Sequence, residues 1–244
     1  MSVSCAYVQP SNPHSSSPLS SQMKRLQQFA LLILVFLSVL SRGEAQSTKP
    51  SSTLLEAFGK TSILDEERRQ RVISLLSQDT TLILPLDLEL DAELVAFSDR
   101  MLKLKTSKVG TWELRLLPLL NGSSLTSVIE RVTRPQEDAR ITFLDQEGQE
   151  IKAKILTLPQ AEDFLKSIKL PETSQGYRLR ELLHPLHYQL SWAEGTTDSL
   201  IVSPSLLLTE EDKASHELAE LIALLPTLSS TWDGKGFAPF TPRK

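Results

Sequence analysis

Between Met101 and Leu116 apolar and charged side chains alternate. Met101-Leu102-Lys103-Leu104-Lys105 and Thr111-Trp112-Glu113-Leu114-Arg115-Leu116 set apolar groups on one face and charges on the other, the period of half-exposed antiparallel strands. Val109-Gly110 marks the turn between them. Further strands are predicted over residues 125–132, 140–144 and 150–155, the last two joined by the hairpin loop Asp145-Gln146-Glu147-Gly148. A second hairpin is predicted over residues 187–193 and 200–203 around Glu194-Gly195-Thr196, and a short strand near Trp232 runs into the turn Asp233-Gly234-Lys235-Gly236.

The helical period governs the intervening stretches. Leu54, Leu55 and Phe58 share one side of a brief helix stopped by Gly59. A second helix is predicted to open at Ser62, with Asp65 reaching back as in a capping box and Glu67 pairing with Arg71; Leu64, Val72, Leu75 and Leu76 form its stripe. A third opens at Thr157, with Pro159 in its first turn and Gln160 three positions on, ahead of Ala161, Phe164, Leu165 and Ile168. Residues 177–183 form another, stopped by Pro185. Thr209-Glu210-Glu211-Asp212 opens a helix predicted to run unbroken to Leu225, its stripe of Leu218, Leu221, Ile222 and Leu225 packing on a sheet. The order of elements implies an α+β fold, antiparallel sheets with helix pairs, either as two similar halves at 53–156 and 157–244 or as one continuous domain.

One run departs from both periods. Lys24 and Arg25 precede an uninterrupted greasy stretch over residues 29–40, and Gly43-Glu44-Ala45 puts small residues where a signal peptidase reads. Twelve helical residues rise only about 18 Å, short of the roughly 30 Å hydrocarbon core, so residues 23–45 read as a cleavable signal peptide and leave no membrane span after cleavage. Cleavage is placed between Ala45 and Gln46, and residues 46–52 become a polar leader. The Ser- and Pro-rich residues 1–22 precede the basic start, which points to Met23 as the true beginning.

Export changes the chemistry available. Cys5, the chain's single cysteine, falls in the segment removed, so the mature part has no disulfide, thiol nucleophile or cysteine-ligated metal. Loss of Lys24, Arg25, Arg42 and Glu44 takes the net charge from -4 to -6, with no basic block to neutralise phosphates, and nucleic acid is excluded as a partner.

Three stretches carry a resemblance: Trp112-Glu113-Leu114-Arg115-Leu116-Leu117-Pro118-Leu119; Ala139-Arg140-Ile141-Thr142-Phe143-Leu144; and Pro204-Ser205-Leu206-Leu207-Leu208-Thr209-Glu210-Glu211-Asp212 followed by Trp232-Asp233-Gly234-Lys235-Gly236-Phe237. Together they resemble a Bacteroidales family of exported proteins of unknown function. That resemblance implies an exported, Gram-negative α+β protein, periplasmic or secreted, and carries no active-site residue with it. A weaker, architectural likeness is to the helix-pair-then-sheet units of beta-lactamase inhibitor proteins.

Candidate chemistry is sparse. Glu181, His184 and His187 are close enough in sequence to hold zinc, but Pro185 breaks the helix that would align them, and no metal or other cofactor is expected. Asp87, Glu89 and Asp91 alternate with leucines and read as an acidic solvent edge before a calcium site. Asn121-Gly122-Ser123 fits N-glycosylation only in a eukaryotic secretory host. Within the resemblance, Asp79-Thr80-Thr81 and Asp198-Ser199-Leu200 look like the O-glycosylation tripeptide of exported Bacteroidales proteins, with Thr80 and Ser199 as acceptors. There is no Gly-x-Ser-x-Gly elbow. The expected function is a non-enzymatic module binding an envelope protein or small ligand; the alternative is a hydrolase whose site assembles from scattered residues.

Overall fold

Ser51 begins the first helix by accepting the Leu54 N–H on its hydroxyl at 3.1 Å, and α1, Ser52–Gly59, buries Leu54, Leu55 and Phe58 as the sequence implies. The computed structural model describes residues 50–78, 82–89, 91–193 and 198–243. The signal segment with Ala45 and Gln46, the acceptor Thr80 and the turn Glu194-Gly195-Thr196 lie outside the described residues.

The second helix, α2, is Glu66–Ser77, and its cap is Asp65, not Ser62. Asp65 accepts the Arg68 N–H at 2.9 Å and is followed at once by Glu66 and Glu67 at the positive end of the helix. Ser62 stays exposed outside the helix. Arg71 pairs with Glu89 at 3.0 Å instead of Glu67.

Six strands follow in chain order as one antiparallel sheet: β1, Leu86–Asp87; β2, Glu93–Phe97; β3, Met101–Lys105; β4, Gly110–Pro118; β5, Ser124–Val132; β6, Asp138–Leu144. The sequence pattern misses β1 and β2 because β1 is two residues long and a register shift between Leu94 and Ala96 interrupts the alternation of β2. Residues 150–155, predicted as a strand, make one bridge, Leu144 to Glu150, and then leave the sheet. Ile151 and Ile155 turn toward the interior there, so both isoleucines are half-buried against the core between the sheets without joining a strand. Helices α1 and α2 cover one face of the sheet, where Leu54, Phe58, Val72 and Leu76 meet Leu94, Leu102, Leu104 and Leu114.

The remaining elements are α3, Ala161–Leu165; α4, Ser174–Leu182; β7, His187–Trp192; β8, Ser199–Ser205; α5, Glu210–Ala214; α6, His216–Ala223; β9, Leu228–Thr231; and β10, Thr241–Pro242. The start of α3 falls later than Thr157, because Asp163 takes the Gln160 backbone N–H at 2.7 Å and sets the first turn there. A second antiparallel sheet has the order β10-β9-β8-β7. Leu190, Trp192, Leu200, Val202 and Leu228 from this sheet pack on Leu117, Leu125, Ile129 and Phe143 from the first, with Phe164 between. Residues Thr48–Lys244 form one compact unit, and the architecture is α+β.

The predicted helix over 209–225 is two helices. Ser215 leaves helical geometry at φ -82° and ψ 108°, and its hydroxyl caps α6 by accepting the Leu218 N–H at 3.3 Å. The break turns Leu218 and Leu221 onto Leu179 of α4, so these two pack on a helix and not, as predicted, on a sheet, while Leu225, beyond the end of α6, packs against the cluster that holds the buried face of the second sheet.

Candidate functional site

Strict alternation divides the second sheet. Leu190, Trp192, Leu200, Val202 and Leu228 point into the core, which puts His187, Gln189, Ser191, Ser199, Ile201, Ser203, Ser205, Ser229 and Thr231 on the opposite face. Almost all are uncharged hydrogen-bonding residues, whereas the first sheet exposes lysines, arginines and glutamates.

A groove of about 470 Å³ lies on this face. Gln189, Ser203, Ser205 and Thr227 line its polar side; Leu206, Leu207, Ile222 and Leu225 line the apolar side; and the loop after β5 supplies Gln136 and Glu137. Gln136 Nε2 donates to the Ser205 carbonyl at 3.2 Å, holding this loop against β8. Ser203 and Thr227 share a hydrogen bond of 3.1 Å between their hydroxyls. Fixed charge at the rim is paired: Glu137 meets Arg131 Nε at 3.3 Å, and Lys213 meets Glu210 at 2.6 Å. Leu207 is 55% exposed although Leu206, Leu208, Ile222 and Leu225 line the same groove.

Next to the groove, His187 and Ser205 are direct cross-strand partners. His187 Nδ1 lies 3.2 Å from Asp138 Oδ2, while Asp138 Oδ1 accepts the backbone N–H groups of Tyr188 at 3.2 Å and Ala139 at 3.0 Å. Asp138 therefore orients the imidazole. The Tyr188 hydroxyl donates to the Pro159 carbonyl at 2.9 Å, and burial raises its pKa above the ordinary phenol value.

Residues 59–237 match the family described as Protein of unknown function (DUF3256). The chain belongs to this family. Among solved structures, a domain of an uncharacterized protein from Porphyromonas gingivalis W83 is similar to this DUF3256 chain with a TM-score of 0.64 and 22% identity, over 79% of this chain and 100% of that one. At that identity the likeness shows the fold. Its source fits the Bacteroidales character of the sequence resemblance, and neither match bears on the likeness to beta-lactamase inhibitor units. No curated protein matches.

The fold of this DUF3256 protein separates the residues that sequence proximity suggested as ligands. His184 Nδ1 sits 2.9 Å from the Arg180 carbonyl, Glu181 pairs with Arg178 at 3.2 Å, and His187 has moved onto β7 beside Asp138. Asp87, Glu89 and Asp91 do not share an extended edge, because Glu89 and Asp91 take positive φ in a tight turn closed by Leu88 and Ala92. Asp87 accepts the Glu89 N–H at 2.8 Å, and Glu89 faces Arg71. Among the described residues, no group of three or more His, Cys, Asp or Glu is placed to hold a metal, and no helix is long and apolar enough to cross a membrane. Ser199 opens β8, its hydroxyl 3.0 Å from that of Thr231, between a buried Leu200 and Asp198.

Asp198 joins a group that the sequence does not announce. Arg100 reaches it through two nitrogens at 3.2 and 3.3 Å, Arg115 stands 3.7 Å away, and the Arg115 guanidinium lies 5.0 Å over the Trp192 ring. Burial, the largest influence on Arg115, lowers its pKa from the ordinary value. These contacts tie the first sheet to the second. They arise from strands far apart in sequence, so no local pattern marks them.

Proposed function

We propose that this protein is exported, loses residues 1–45 or 23–45, and acts outside the cytoplasm as a non-enzymatic module that holds an extended, largely uncharged polypeptide segment of an envelope partner. The observation that carries the reading is the groove on the second sheet, where an exposed Leu207 and its apolar neighbours face Gln189, Ser203 and Thr227. Amide and hydroxyl side chains both donate and accept, as peptide groups require, and the apolar side offers area to a partner's side chains. Paired rim charges leave nothing to select a strongly charged ligand.

The export half is checked by N-terminal sequencing of protein recovered from outside the cytoplasm, which should begin at Gln46; a mature chain retaining residues 29–40 overturns it. For the binding half, a photo-crosslinking residue at Leu207 in the native host should give a discrete protein adduct that Ser203→Arg abolishes. The same residue placed at exposed Tyr177 serves as control. No adduct at Leu207, or equal adducts at both positions, overturns the reading.

One observation favours a second reading, an acyl hydrolase. Asp138, His187 and Ser205 stand in the order of a carboxylate, an imidazole and a hydroxyl, with Ser205 lining the groove. In such a reaction Ser205 Oγ would attack the acyl carbon while His187 Nε2 took its proton, later returning it to the leaving group. Binding ranks first because no hydrogen bond joins Ser205 Oγ to His187. A fluorophosphonate probe decides: labelling at Ser205 that His187→Ala removes would establish the hydrolase, and an unlabelled Ser205 eliminates it.

A further inference from the structure

The ladder between β8 and β9 ends at two prolines. Ala193 donates to the Ser199 carbonyl at 2.8 Å and Trp232 to the Asp198 carbonyl at 2.9 Å, and these bonds fix which residues of β8 face which neighbour. Ile201, Ser203 and Ser205 exchange main-chain bonds with β7, and Leu200 and Val202 with β9. Carried one step further, the register sets Pro226 against Pro204. Neither has an N–H, so no main-chain bond closes there. Both prolines line the groove, which opens at this break.

Past the break, β8 loses its neighbour but keeps its pattern. Leu206 packs with Leu179, Leu218 and Leu221 while Leu207 is exposed, which continues the alternation of buried Val202 and outward Ser203. At Thr209 the main chain is engaged again, its N–H held by Asp212. Between those points, the N–H and C=O groups of Leu206, Leu207 and Leu208 have no hydrogen-bond partner among the described residues, and all three residues line the groove. A run of unpaired main-chain groups continuing a strand is a template for another strand, commonly guarded by a charged side chain. Here the side chains are leucines, and Lys213, which also lines the groove, is paired with Glu210.

On the peptide-binding reading above, on which this inference rests, we propose that the partner's segment enters the groove as a strand. It exchanges main-chain hydrogen bonds with Leu206 and Leu208 and extends the second sheet where Pro226 interrupts it. The partner residues opposite Leu206 and Leu208 therefore cannot be proline. The residue opposite Leu207 lays its side chain beside Leu207 on the outer face, where an uncharged group fits.

The test selects short peptides built from Ser, Thr, Gln, Val and Leu out of a phage library with the full mature chain. Peptides whose binding Ser203→Arg abolishes are then synthesised and N-methylated one amide at a time. Strand pairing requires losses of roughly tenfold or more at alternate amides and little change at those between. In the same complexes, amide exchange followed by NMR should slow about tenfold or more at Leu206 and Leu208 and stay unchanged at Leu207. Tolerance of N-methylation throughout, losses without that alternation, or exchange that is unchanged or slowed alike at Leu206, Leu207 and Leu208 overturns strand pairing and leaves a groove that holds peptide through side chains. Recovery of no peptide sensitive to Ser203→Arg overturns the pairing and the peptide-binding reading together.

Discussion

Arg178 of α4 grips Asp212 of α5 through two parallel hydrogen bonds, Nε to Oδ1 at 2.9 Å and Nη2 to Oδ2 at 2.8 Å. The same carboxylate accepts the Thr209 N–H at 2.9 Å and so also caps α5. The Arg178 hydrogen bonds, then the Thr209 N–H, hold the Asp212 carboxyl far below its ordinary value of 3.8. A depressed folded-state pKa gives stability that is complete above the unfolded value and lost as pH falls through the folded one. Asp212→Asn should therefore be less stable than the wild type by a constant amount from neutral pH down to about 5, and the difference should shrink below pH 3.8. Denaturant melts of both proteins across that range check it; a difference independent of pH would show that the ion pair contributes nothing.

The stripe on α6 is core. Leu218 is fully buried and Leu221 nearly so, both against α4. Replacing Leu218 with Ala should cost about 2–5 kcal/mol through lost contacts and a residual cavity. Thr209→Ala, which removes the acceptor of the Asp212 N–H at 3.1 Å, should cost about 1 kcal/mol. Urea unfolding measures both, and a Leu218→Ala protein as stable as the wild type would show that this face docks a partner.

Gly176 sits in α4 against the preceding loop, where a Cβ would come within 2.1 Å of the Pro171 carbonyl oxygen. Helix propensity alone would make Gly176→Ala stabilising by about 1 kcal/mol. Contact with a backbone atom outweighs that gain, because loop or helix must shift. The variant should melt below the wild type, and a rise in melting temperature would show that the loop yields freely.

Phe237 gathers three rings, with centroids 5.8 Å from Phe143, 6.1 Å from Trp192 and 5.3 Å from Trp232. Trp232 in turn donates its indole N–H to the Pro118 carbonyl at 2.6 Å, fastening the C-terminal segment to β4 of the first sheet. Phe237→Leu keeps an apolar side chain but loses the ring contacts, each worth about 0.5–1.5 kcal/mol. A loss of about 1–3 kcal/mol with a weakened near-ultraviolet circular dichroism signal is expected. An unchanged signal would mean that the rings are not ordered against one another.

Local pattern determined much of this molecule. Alternation placed β3, β4, β7 and β8 and their buried faces, and Thr209 marked the start of its helix. These features are legible because strand period and cap chemistry act among neighbours within a few residues. The same alternation in His187-Tyr188-Gln189-Leu190 would have put His187 and Gln189 on one face, a better guide to the groove than the closeness of His187 to Glu181. Only the tertiary structure decided that β6 and β7 bring Asp138 to His187, that the chain breaks at Ser215 to seat Leu218 on Leu179, and that Gln136, Ser203, Leu207 and Thr227 surround one groove. Those outcomes depend on which buried faces meet and in what register, an energy shared among residues tens of positions apart, and no window of sequence contains it.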